Sequence, residues 1–152
     1  MKIRKVIVLI FCLYSLFFLF GSTLAPILAY LKCYELSAKL TSTYMFSCHQ
    51  QPDRSFWLFG YPVALCCRCY GFYLGVTLTG FAALFDRIKI NLKLFACFLI
   101  FCLVDIITNV AFGHRFNTGN TIRFIAGILM GILFITGLNY ILKLRRRQKN
   151  EN

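Results

Sequence analysis

Apolar positions along the 152-residue chain gather into four runs, each close to the roughly 20 residues that cross a bilayer as a helix. They cover residues 6–31, 62–85, 92–112 and 121–144, and each is predicted to be a transmembrane helix. The first run follows Lys2, Arg4 and Lys5 and so begins like a signal peptide. A signal h-region, however, is about 7–15 residues long, and this run continues through Phe20 to Leu31. It reads as a retained anchor. The second run opens on Pro62, a residue suited to the first helical position, where a missing N–H costs nothing. The expected fold is an all-α integral membrane protein: one domain over residues 1–152, a four-transmembrane-helix bundle with a long loop at 32–61 between the first two helices.

Composition agrees with that pattern. The chain is 59% hydrophobic and 14% charged, against about 25% charged in soluble domains, which excludes both an ordinary soluble globule and a disordered tail. Seventeen Lys and Arg against five Asp and Glu leave a net charge of +12. In a soluble protein that excess would point to nucleic acid; here the basic residues flank apolar runs. The N-terminus, the connection with Arg87, Lys89 and Lys93, and the tail with Lys143, Arg145, Arg146, Arg147 and Lys149 fall on one side by parity. Cytoplasmic flanks retain Lys and Arg, so both termini are expected in the cytoplasm, with the 32–61 loop and the turn around His114 outside. The implied partner is the lipid bilayer, with no nucleic acid.

The outer loop carries the chemistry. Tyr34 to Phe46 mixes apolar and polar positions as a short interfacial helix would. Cys48-His49-Gln50 and Arg54-Ser55-Phe56 follow, then Trp57, Phe59 and Tyr61, rings of the kind found at headgroup level. The second helix then starts with Cys66-Cys67-Arg68-Cys69-Tyr70-Gly71-Phe72-Tyr73-Leu74-Gly75. Cys-His-Gln, Arg-Ser-Phe and Cys-x-Arg-Cys-x-Gly-x-Tyr-x-Gly together resemble an uncharacterised prokaryotic family of small multi-pass membrane proteins, defined by a domain of unknown function. The resemblance is close from Cys48 to Gly75 and looser through Asp105, Asn120, Arg123 and Gly127. It implies a membrane location and a Cys/His cluster as the hallmark, and no activity. Cys67 stands where that pattern favours a small residue and is left out of the site.

Cys66 and Cys69, three residues apart, share a helix face with Tyr70 and Tyr73. If the loop brings Cys48 and His49 over them, three thiols and an imidazole form a donor set suited to a transition metal, zinc or copper. The same Cys66, Cys69 and Cys48 also suit a membrane thiol–disulfide oxidoreductase. A structural bridge such as Cys48–Cys66 is the plainest alternative. Cys12, Cys33, Cys97 and Cys102 have no partner pattern and read as buried small hydrophobes. Asp105 lies inside the third run, roughly 12 Å below its outer boundary. A carboxylate there is costly and needs a partner. Arg123 is the expected one, either only locking two helices or leaving Asp105 to serve the thiols as proton acceptor or hard ligand. Tyr73, Asn109 and, from the family motif, Arg54 and Asn120 complete a supporting polar layer; His114 reads as a solvated turn residue. Gly71 and Gly75, with Gly127 and Gly131, predict that the second and fourth helices are neighbours. Such faces would also let the chain join a homo-oligomer or act as a non-catalytic helper in a larger membrane complex. No phosphate loop, zincin helix or nucleophile elbow is present, which disfavours those enzyme classes and leaves open an enzymatic site of another kind.

Overall fold

A computed structural model of the chain describes residues 2–85, 92–111 and 119–151. In order, its elements are α1 (Lys2–Tyr30), α2 (Tyr34–Thr43), a 3-10 turn (Pro52–Arg54), β1 (Ser55–Leu58), β2 (Tyr61–Cys66), α3 (Cys67–Leu84), α4 (Leu92–Ala111) and α5 (Asn120–Glu151). Two stretches, Ile3–Tyr30 and Asn120–Arg145, are long and apolar enough to cross a membrane. Of the four predicted spans, these two meet that test among the described residues.

In α1, Val8, Cys12, Ser15, Phe18, Ser22, Ala25 and Ala29 are buried, while Phe17 is 62% and Phe20 75% exposed. Spacings of three and four residues make the buried set one helix face. Phe18 and its neighbour Leu19 apart, the inward side chains are small and the outward ones bulky and apolar, the arrangement that lipid permits and water opposes. The hydroxyls of Ser15 and Ser22 donate to carbonyls of their own helix, Phe11 O and Leu19 O, so the stripe buries no unsatisfied hydroxyl.

α3 packs against both α1 and α5, and α4 lies against α5. The neighbour relation read from the glycines holds. A Cβ on Gly71 or Gly75 would collide with the carbonyls of Phe124 and Ile128, and one on Gly127 or Gly131 with those of Arg68 and Phe72. The two glycine faces are therefore buried on each other within the chain and cannot serve assembly with a partner. Near the far end of the bundle, Arg4 Nη1 of α1 donates to Asn139 Oδ1 of α5 at 3.0 Å. The N-terminal turn of α1 and the C-terminal half of α5 thus share one end, and the loop between α1 and α3 occupies the other.

That loop departs most from expectation. The short helix at its start is α2, as its mixed pattern predicts. The second long helix, however, does not begin at Pro62: it begins at Cys67, and Tyr61–Cys66 pairs antiparallel with Ser55–Leu58. The fold is mostly helical with a small sheet, not all-α. A short apolar run such as Pro62 to Leu65 fits strand or helix equally by pattern. The turn decides, because Phe59 and Gly60 both have positive φ, +53° and +83°, the backbone of the two-residue hairpin loop that matches strand twist. Proline is tolerated because a two-stranded sheet consists only of edges. Opposite Phe56 the register slips, so that Val63, Ala64 and Leu65 bulge and are all buried.

Cys12 and Cys102 are buried as expected, but Cys33 and Cys97 are exposed. Cys33 caps the start of α2 after α1 has ended, and Cys97 lies on the outward face of α4.

Candidate metal centre

The site is assembled from the end of α2 upward. Tyr44, fully buried at the C-terminus of α2, lays its ring across Gly21 of α1, where a Cβ would collide with the hydroxyl. The N–H groups of Ser47 and Cys48 both donate to the Tyr44 carbonyl at 3.0 Å, turning the chain back. Gln50 adopts φ +48°, and its side-chain amide donates to the carbonyl of Thr41. That turn aims the Gln50 N–H at Cys48 Sγ, 3.5 Å away.

From the other side, β2 delivers Cys66, whose own N–H donates to Cys48 Sγ at 3.2 Å. Cys66 is the extended residue capping α3 and Cys69 sits in the first turn. The sulfurs of Cys48, Cys66 and Cys69 all lie within 4.8 Å of one another. Zinc–sulfur bonds near 2.3 Å put tetrahedral ligand sulfurs about 3.8 Å apart, so a metal needs only a small closure. Hydrogen bonds from the Cys66 and Cys69 thiols, and then from two backbone N–H groups, hold the Cys48 thiol well below its ordinary pKa against the opposing cost of burial. Cys66, which donates to Cys48, is held up. Sulfur charge is thus collected on Cys48, the N–H donors favouring its charged form, and a cysteine must be deprotonated to ligate a metal. The sulfurs of Cys48 and Cys66 are close but not bonded to each other in this structure.

Around the sulfurs lies a cleft of about 350 Å³, lined by His49, Arg54, Arg68 and Arg123 as well as the three cysteines. His49 is exposed at this rim and its imidazole lies outside the sulfur group. Adjacent side chains diverge here, Cys48 inward and His49 outward. Asn120 bridges two elements: its Nδ2 donates to the carbonyl of Asp53 at 3.3 Å, and its Oδ1 accepts from Arg123 Nη1 at 3.5 Å. Tyr73 packs beside the cluster, its ring 4.7 Å from that of Phe18. Of the supporting layer, Arg54 and Arg123 line the cleft, Asn120 bonds to Arg123, and Tyr73 packs against the hydrophobic cluster that holds Cys48. The backbone of Asp105 and Asn109 is helical within α4, but their side chains, like His114 and its turn, lie outside the described residues. Cys67 is fully buried and takes no part in the sulfur group. Arg68 was missed as a wall of the cleft, although its position between two of the clustered cysteines could have flagged it.

The chain is 35% identical over 133 residues, 79% of its length and 82% of the relative's, to the uncharacterized protein MJ1492 of Methanocaldococcus jannaschii. No solved structure matches it. Residues 48–136, starting at Cys48 and running through the sulfur cluster, the glycine faces and the cleft arginines, match a family described as predicted membrane protein. The chain belongs to that family, DUF2085.

Proposed function

We propose that the protein is a four-span membrane protein that binds a transition metal, zinc or copper, at Cys48, Cys66 and Cys69 on the extracytoplasmic side. One observation carries the reading: three sulfurs within 4.8 Å of one another, one of them held as the acceptor of two backbone N–H groups. Three protein thiolates leave a tetrahedral ion one position short. His49, which lines the same cleft, would supply it by a rotation of its side chain, or an exogenous ligand would enter there. The topology is supported by the basic flanks of the apolar runs and by the meeting of Arg4 and Asn139 at the end of the bundle away from the cysteines. Both termini are then cytoplasmic.

Metal analysis and thiol counting on detergent-purified protein test the reading. Stoichiometric metal, lost in the Cys66→Ser, Cys69→Ser double variant, is expected. Metal-free protein carrying a reducible Cys66–Cys69 bond would reject it in favour of thiol–disulfide exchange, to which the same sulfur distances lend themselves. Neither metal nor thiol change would leave a non-catalytic helper subunit.

A further inference from the structure

The cleft beside the sulfurs is walled by positive charge. Arg54 comes from the 3-10 turn, Arg68 from the first turn of α3 and Arg123 from the first turn of α5. Arg123 is only 5% exposed, yet the charges of Arg54 and Arg68 both reach it, opposed by Asp53 and then by Cys67. Asp53 is a weak counterweight: its carboxylate is 70% exposed and stands 3.9 Å from Arg54 Nε. Gathering three guanidinium groups at one cleft, one of them buried, is costly by repulsion and by desolvation.

We infer that the cleft is an oxyanion site, in which Arg54, Arg68 and Arg123 hold a phosphate-class group beside the cysteine cluster. The class follows from the donors. Each guanidinium presents planar N–H forks that match oxyanion oxygens two at a time. A carboxylate, with two oxygens in a plane, is satisfied by one or two such forks. Forks arriving from three separate elements suit a tetrahedral group whose oxygens point in different directions. A cleft of about 350 Å³ admits either free phosphate or a phosphomonoester headgroup entering from the lipid. The site stands on the arginines and does not require the metal.

Titration of inorganic phosphate into delipidated, detergent-solubilised full-length protein, at constant ionic strength against chloride, tests it. Saturable binding is expected, weakened about tenfold or more in Arg54→Gln and in Arg123→Gln, as loss of a charge-assisted hydrogen bond implies. Arg54 is partly exposed, so its variant tests the site even if Arg123→Gln does not fold. Native mass spectrometry before delipidation separates the sources. Retained phosphatidic acid that is lost in Arg54→Gln assigns a headgroup; lipid-free protein that binds phosphate assigns the free anion. The Cys69→Ser variant removes a metal donor and no arginine, and is expected to keep phosphate binding, so failure of the metal reading is distinguishable. No saturable binding, equal binding in Arg54→Gln, or loss in Cys69→Ser with the arginines intact would overturn the inference.

Discussion

Cys48 owes its low pKa to donors on both sides, the Cys66 and Cys69 thiols and then the N–H groups of Cys66 and Gln50, and the stability consequence has a definite sign. A thiol whose folded pKa lies below its unfolded value, about 8.5, contributes fully above that value and progressively less as the pH falls. In reduced, chelator-treated protein, the melting-temperature difference between wild type and Cys48→Ser should therefore be larger at pH 9 than at pH 6. A difference independent of pH would mean that Cys48 is not held as thiolate. Tyr44 offers the opposite case. Its hydroxyl is buried with no hydrogen-bond partner among the described residues, so Tyr44→Phe removes a desolvated polar group without removing a bond. That change should be neutral or stabilising by up to about 1–2 kcal/mol in thermal unfolding; a clear loss would show a hidden partner. The three clustered cysteines were legible because their spacing is itself the motif. That Cys48 and His49 need not both face the sulfurs was legible as well, because neighbouring side chains diverge; which of the two turns outward was not, because the backbone dihedrals between them are encoded by no pattern of residue types.

At the scale of elements, the contact between α3 and α5 is backbone on backbone. A side chain at Gly127 would strike the carbonyl of Arg68 and the N–H of Phe72, groups that cannot rotate away. Gly127→Val should cost about 1–3 kcal/mol or more, read as a lower melting temperature in detergent, whereas Gly119→Ala, with nothing within 4 Å, should be silent. Equal effects would mean that the helices separate easily. This pairing was readable from spacing alone, since small residues four apart make a flat face. The hairpin was not. Trp57, Phe59 and Tyr61 look like an interfacial belt, and the apolar residues after Pro62 look like the start of a span; only the local handedness at Phe59 and Gly60 separates a strand from a helix there.

For the whole molecule, the proposed topology puts the exposed thiol of Cys33 outside and the tail inside. A membrane-impermeant maleimide applied to intact cells should label Cys33, while a Lys149→Cys variant should react at its new thiol only after permeabilisation, both followed on their tryptic peptides. The reverse pattern would invert the orientation. The glycine contact bears on the site as well. Cys66, Arg68 and Cys69 ride on the start of α3 and Arg123 on the start of α5, and the locked backbones make these four one rigid anvil. Cys48, His49 and Arg54 belong to the segment between α2 and β1. A group bound between the two would tie the segment before β1 to the helix starts, and the backbone contact of α3 with α5 would resist any change in the tilt of those helices.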